Sequence, residues 1–435
     1  MTIINIYIEG YGCTLNSADT NILANSIKQY IKDNNINNMN IVSNINNANI
    51  VVINTCIVRQ ETEHKMNSRV NYLKSLNKKI VIAGCMPKGL SKETKELNPD
   101  LTIMPLEAHL IGEKIYNYII NNNINNDNIN DINSDNNIDH KLKNLKPNNI
   151  IMPLPISEGC LGKCNYCIVK LARGDLKSYS EKVILDKVKE YVTNNVKHIL
   201  ITSQDTACYG FDKNTNLPNL LNKIININGE FNLRIGMMHS KNLPYIIDDL
   251  IELYKTNKIT NFIHLPLQSG DNKILNDMER EYTVEQYIDF VKEFRKKIPN
   301  LNYHTDIIVG YPTETEENFN NTIELLKKLK PDGIHGAKYT QRKGTKANNL
   351  KQIDTKIRKE RMKILDNLRR ELSYNSHKKY VGKTLNTLII KNNEGITDNC
   401  KTVKFDKVEN NYIGKFKKVK IKKALTFGLY GEILD

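Results

Sequence analysis

The stretch from Ser157 to Gly174, SEGCLGKCNYCIVKLARG, sets Cys160, Cys164 and Cys167 three and then two residues apart. Thiolates at such spacing hold zinc or an iron–sulfur cluster. A structural zinc site closes its tetrahedron with four protein ligands, and this stretch supplies three. Either a distant cysteine completes a zinc knuckle, or the position is left open: a four-iron cluster on three thiolates keeps one iron without a protein ligand. A second set of three lies upstream, Cys13 in EGYGCTLN, Cys56 in INTCIV and Cys85 in IAGCMP. Each directly follows an apolar, strand-like run. In an open parallel sheet the C-terminal strand ends share one crevice, so residues far apart in sequence can meet there. The set reads either as a second open-iron cluster site or as three buried core cysteines. Cys208 and Cys400 fall outside both sets and read as ordinary thiols.

The elements that must position these thiols alternate in type. INIYIEGYG, ANIVVINTC and KKIVIAGC are strand-like, with helical patterns between them, and predict an α/β domain around an open parallel sheet over residues 1–120. An Asn-rich tract over 121–149 reads as a linker or insertion that builds no packed core. From 150 a second alternating series begins. IIMPLPISEG, KHILITSQ, FNLRIGMM, NFIHLPLQ, YHTDIIVG and GIHGAKYT are its strands, separated by amphipathic helices. Six βα units predict a partial (β/α)6 barrel over 150–375, with chemistry at the C-terminal strand ends, where the three-cysteine loop falls. Residues 376–435 are strand-rich and predict a small β-barrel.

Charge points to a polyanion. The 435 residues carry a formal net charge of +15, and the last sixty hold 13 Lys against 6 Asp and Glu, interleaved with Phe405, Tyr412, Phe416, Phe427 and Tyr430. Cations that track phosphate and rings that stack bases suit a nucleic-acid-binding module. The competing reading is a lysine-rich surface over an aromatic core. No basic leader precedes an apolar run at the N-terminus and no run reaches the ~20 apolar residues of a spanning helix, which predicts a cytoplasmic protein without membrane association. Reduced cytosolic thiols then favour metal binding over disulfides.

The CxxxCxxC loop after a first barrel strand resembles the radical S-adenosylmethionine (SAM) superfamily. Together with the N-terminal triad and the basic C-terminal module, the whole chain resembles the methylthiotransferase family. That resemblance implies an N-terminal cluster domain, a radical SAM barrel and a TRAM-like RNA-binding barrel. It also implies two [4Fe-4S] clusters, one held by Cys13, Cys56 and Cys85 and one by Cys160, Cys164 and Cys167, the latter set catalytic because its open iron is chelated by SAM. One SAM methylates a sulfur at the first cluster; a second SAM, cleaved by one electron, removes the unreactive hydrogen and allows carbon–sulfur bond formation. CLGKCNYCIVKLARG, NTCIVRQETEHKM, SQDTACYG and the GTKA after Arg342 resemble the archaeal and eukaryotic branch, which acts on N6-threonylcarbamoyladenosine at position 37 of tRNA.

The implied partners are a tRNA anticodon loop and a low-potential ferredoxin or flavodoxin. Strand-end placement nominates Ser203, Gln204, Gln268, Asp306, Ile308 and Gly310 as SAM contacts. Arg173 in KLARG follows the cysteine loop and reads either as a contact to a substrate anion or as an ordinary salt bridge. His264, His304 and His335 lie on barrel strands and read as satisfied core histidines. Three alternatives stay open: action on isopentenyladenosine in tRNA, action on a ribosomal-protein aspartate, or a non-catalytic iron–sulfur RNA-binding protein.

Overall fold

The computed structural model describes residues 3–124 and 138–434. The chain divides into two compact units, one of Met1–Pro147, Pro153–Cys160 and Cys167–Lys187, the other of Asn148–Met152, Leu161–Tyr166 and Val188–Asp435.

In the first unit, β1 (Ile4–Gly10), β2 (Met39–Ile41), β3 (Ile50–Thr55), β4 (Lys79–Gly84) and β5 (Leu101–Ile103) form one sheet in the order β2-β1-β3-β4-β5. Every pairing is parallel. All six residues of the central strand β3, IVVINT, are buried, as a parallel strand covered on both faces requires. Val51, Ile53, Ile80 and Ile82 pack with Val70 and Leu73 of the helix Gln60–Ser75 and with Ile168 and Ala172 of the helix Ile168–Arg173. Burying each such side chain contributes about 1.5–3 kcal/mol. The helix that follows the cysteine loop is therefore part of this core.

The expected linker over 121–149 lies partly outside the described residues. Its first four residues continue the helix Ile111–Ile124. Its end forms the short helix Asp139–Lys143 and buries Lys141, Leu142 and Leu145. This differs from a tract without a packed core, because apolar and cationic residues at its C-terminal end find partners in the first unit.

β6 (Ile151–Pro155) is followed by the antiparallel pair β7 (Ser157–Glu158) and β8 (Lys177–Ser178). The second unit continues with β9 (His198–Thr202), β10 (Asn232–Ile235), β11 (Phe262–His264), β12 (Asn302–Val309) and β13 (Gly333–Lys338). These strands form sheets of order β10-β9-β6 and β11-β12-β13. An isolated parallel bridge, Leu233↔Ile259, sets the segment before β11 beside β10. Six strands in chain order, each crossing over through helical segments, make the expected partial barrel.

β14 (Thr384–Lys391), β15 (Glu394–Thr397), β16 (Thr402–Lys404), β17 (Phe416–Leu425) and β18 (Gly428–Ile433) close into a barrel. Its core is Tyr380, Ile389, Val403, Phe405, Val419, Ile421 and Leu429. Phe405 is thus a core ring, and of the aromatics expected to stack bases Phe427 is the one that stands well exposed, at 58%. The barrel is stitched to the rest of its unit. Buried Lys401 pairs with Asp332 at 3.1 Å, and Asn399 donates to the Asn300 carbonyl at 3.0 Å. Among the described residues no helix is long and apolar enough to cross a membrane.

Candidate functional site

The strand-end triad is built by the sheet. Cys13 precedes the helix Thr14–Asp33, Cys56 follows β3 and Cys85 follows β4. Gly12 lies before Cys13 with φ +110°, and a Cβ there would stand 2.4 Å from Cys56 Cβ. Only glycine lets the two strand ends approach so closely. Asn16 joins the set: its Oδ1 lies 4.0 Å from Cys13 Sγ and 3.9 Å from Cys85 Sγ. Its Nδ2 donates to the carbonyls of Tyr11 (2.9 Å) and Thr55 (2.7 Å), which fixes the amide. The three thiols are therefore gathered in one place, Cys13 exposed and Cys56 and Cys85 buried. An all-sulfur donor set at a sheet edge fits an iron–sulfur cluster.

Arg173 takes up the salt-bridge arrangement. It is 3% exposed. Its Nη1 donates to Glu158 at 2.7 Å, and its Nη2 to Asp19 at 2.6 Å and Asn16 at 2.9 Å. Its Nε lies 3.4 Å from Cys85 Sγ. Lys141 completes the network with ion pairs to Asp19 and Glu158. Burial pushes the Asp19 carboxyl up, but Arg173 and Lys141 outweigh it and hold the group below the usual range. Burial pushes the Cys85 thiol up to about 11 against the pull of Arg173; a metal bound there would reverse that, since a coordinating thiol is deprotonated. The guanidinium thus reaches Cys85 as well as the two buried carboxylates. Local sequence gives no sign of this, because Arg173 and Cys85 are far apart in the chain.

The cysteine loop is held differently. All three thiols are partly exposed. The Cys160 amide donates to the Gly174 carbonyl at 3.3 Å and Lys170 donates to the Cys160 carbonyl. Arg280 Nη1 donates to Cys164 Sγ at 3.2 Å, and His239 Nε2 stands 3.7 Å from the same sulfur. Arg280 is anchored by the Pro266 carbonyl at 2.8 Å and by Tyr282 at 3.2 Å. Asn165 ties the loop to the barrel by accepting from Tyr311 Oη at 2.9 Å. Sequence reasoning missed Arg280, His239 and Asn16. Phase and spacing could not reveal them, since each reaches its cysteine through tertiary packing.

The nominated SAM contacts lie at barrel strand ends. Ser203 Oγ accepts from the Asp205 amide at 3.1 Å, so its hydroxyl shapes its own turn. Gln204 Oε1 is buried without a hydrogen-bond partner, an acceptor that a ligand's N–H could satisfy. Gln268 adopts φ +73°, and its backbone bridges to Ile307; such left-handed strain in a long side chain clusters at functional sites. Gly310 has φ +73°, and a Cβ there would meet Arg358 Cγ at 2.3 Å. Its N–H donates to Glu314 Oε2 at 2.7 Å. Ile308 packs beside Tyr311 and Tyr339.

Asp306 accepts from His264 at 2.8 Å. Burial pushes its carboxyl up, but His264 outweighs that, with help from His335 and Arg280, and holds it low. His304 stands 3.3 Å from His335, so the three histidines and Asp306 form one polar wall across β11, β12 and β13. His335 is exposed, which sets it apart from a core histidine.

Comparison with known proteins agrees with this architecture. The radical SAM superfamily matches residues 154–326, and the Uncharacterized protein family UPF0004 matches residues 5–104. A Methanocaldococcus jannaschii protein named "Probable threonylcarbamoyladenosine tRNA methylthiotransferase" is 53% identical, over 99% of this chain and 97% of its own length. A Pelagibacter ubique protein named "tRNA-2-methylthio-N(6)-dimethylallyladenosine synthase" is 31% identical, over 99% of this chain and 98% of its own. Among solved structures, the radical S-adenosylmethionine methyltransferase TsrM from Kitasatospora setae shares the fold at 10% identity. Its TM-score is 0.54, over 80% of this chain and 77% of that one.

Proposed function

This chain belongs to the radical SAM methylthiotransferase family, and from that premise we propose that it converts N6-threonylcarbamoyladenosine at position 37 of tRNA to its 2-methylthio derivative. We read two [4Fe-4S] clusters into it, one on Cys13, Cys56 and Cys85 and one on Cys160, Cys164 and Cys167, with two SAM molecules consumed per product. The observation that carries the reading is the approach of Cys13 and Cys85 to Asn16, with Cys56 packed against Gly12 beside Cys13, in a chain that also bears a CxxxCxxC loop. A simple radical SAM enzyme needs only the second set.

A cluster on the loop supplies one-electron cleavage of SAM. The chain's own residues do the rest. Arg280 holds Cys164 by its sulfur, Asn165 fixes the loop between the second and third ligands, and Arg173 holds Cys85. Ser203, Gln204, Gln268, Asp306, Ile308 and Gly310 are the proposed SAM contacts at the strand ends. The C2–H bond of adenine is too strong for a general base, which is why a radical route suits this site.

The branch assignment leans on the relative at 53% identity, whose printed name specifies threonylcarbamoyladenosine. The relative named for dimethylallyladenosine stands at 31% and supplies the second reading. Nucleoside mass spectrometry separates the two. Reconstituted protein with reductant and SAM is offered tRNA bearing either modified adenosine; a gain of CH2S mass on the threonylcarbamoyl nucleoside alone supports the proposal. The same gain on isopentenyladenosine alone refutes it. We place the enzyme in the cytoplasm, with a ferredoxin or flavodoxin as electron donor, because its substrate and low-potential chemistry both belong there.

A further inference from the structure

The helix Thr355–Lys378 runs 24 residues and leaves the partial barrel for the small one. Its inner face is fixed at both ends. Near its start, Arg361 Nη1 pairs with Glu314 Oε2 at 2.6 Å, and Arg358 Nη1 donates to the Tyr339 carbonyl at 2.9 Å. These contacts hold it against the segments that follow β12 and β13, on the face of the barrel where strands end. Near its finish, Ser376 bonds Asp332, and His377 Nδ1 meets the Gly428 amide at 3.3 Å in the β17–β18 turn.

The outer face carries a row that this anchoring does not use. Lys359, Lys363, Asn367 and Arg370 recur at i, i+4, i+8 and i+11, so they lie on one stripe with successive turns ~5–6 Å apart. Together with Lys338 at the end of β13, Met362 and Asp366 they line a single groove. Its one carboxylate, Asp366, is paired with Arg369 at 2.7 Å. Glu360 and Glu371 flank the row without lining the groove. Beyond Arg370 the stripe ends on the exposed Phe427, whose ring has the guanidinium carbons of Arg369 and Arg370 at 5.7 and 5.8 Å.

We propose that this groove is a phosphate track for the RNA substrate, running from Phe427 along the helix to Lys338 at the strand-end face. The inference rests on the tRNA reading above and extends it: RNA is held by the connecting helix as well as by the small barrel. Four cations whose only groove carboxylate is already neutralised match a polyanion. Their helical repeat suits successive phosphates of an extended strand, and an open aromatic at one end suits a stacked base. A protein partner with an acidic helix has the same charge but no use for the ring.

The test uses the full chain and an unmodified tRNA transcript, with affinity measured across a salt series. The groove variant is K359E/K363E/R370E. The control is K292E/K296E/K297E on the exposed side of the helix Val284–Lys297, which changes net charge by the same amount. The groove variant is expected to lose tenfold or more in affinity and to flatten the slope of log K against log salt by about 2–3, since each phosphate contact contributes ~0.7–0.9. The control should change the slope by less than one. K359Q/K363Q/R370Q should fall between them, and RNA-independent SAM cleavage should be unchanged throughout. Equal slopes in groove and control variants, or wild-type affinity in the groove variant, overturn the track alone. A wild type without tRNA affinity overturns the substrate reading and the track together.

Discussion

The two three-cysteine sets solve the same problem in opposite ways. Cys13, Cys56 and Cys85 come from three sheet termini and are gathered by a buried polar network. Asn16, Arg173, Asp19, Glu158 and Lys141 are all nearly inaccessible. Cys160, Cys164 and Cys167 come from one short loop, stay partly exposed, and lean on a few outside groups such as Arg280 and His239. The first set is part of a folded core, so its geometry depends on the stability of the unit. The second is a local motif, open to a ligand, whose sulfurs are tuned from outside.

That difference can be broken most completely at the thiols. Replacing Cys160, Cys164 or Cys167 by Ala should bring SAM cleavage to background, read as 5′-deoxyadenosine by chromatography. The same change at Cys13, Cys56 or Cys85 should leave SAM cleavage and abolish methylthio product. Product formed by either class of variant contradicts the division of labour.

The next largest effect is on stability. Arg173→Met strips a cation from between two buried carboxylates, Asp19 and Glu158, leaving Lys141 as their remaining partner. Breaking a buried pair in this way costs about 3–5 kcal/mol, so denaturant unfolding of the first unit should move to much lower concentration. Arg280→Met removes a guanidinium whose anchors are a carbonyl, a phenol and a thiol, a loss of about 1–3 kcal/mol. Its clearer effect should be on the loop cluster: a lower reduction potential in a redox titration, with the other cluster's signal unmoved. Equal stability losses at the two arginines would remove the contrast.

Asn16→Ala sharpens it further. Two carbonyls lose their amide donor, so the strand ends should loosen by about 1–3 kcal/mol. Iron retention by the first set alone should fall in a chelator challenge. The smallest effect belongs to His239→Gln, because 3.7 Å is a weak approach to Cys164. SAM cleavage should change by less than about tenfold, an amount worth 1.4 kcal/mol, which is within the range of one modest hydrogen bond.

Legibility in the sequence followed the same divide. CxxxCxxC is local, and apolar runs in β3 and β4 lead up to Cys56 and Cys85, so the spacing of one set, the strand-end placement of the other and the alternation of strands and helices could be read directly. Support from distant residues could not. Arg173 stands next to the loop motif and invites a substrate role, yet the helix Ile168–Arg173 packs into the first unit's core and turns the side chain towards Cys85. Phe405 sits among lysines in sequence and among Val403, Val419 and Leu429 in space. Asn-rich composition hid the packed end of the 121–149 tract, where Lys141 is the decisive residue: a buried lysine is legible only once its carboxylate partners are known.

The account turns on two separately held clusters in one chain. Anaerobic iron and sulfide quantification with electron paramagnetic resonance, on the wild type and on the variant lacking Cys160, Cys164 and Cys167, tests that most directly. The account predicts about eight irons per chain falling to about four, as two four-iron clusters on thiolates give, with the remaining signal lost when Cys13, Cys56 and Cys85 are also replaced. Zinc in place of iron, or a wild type that binds only about four irons, contradicts it.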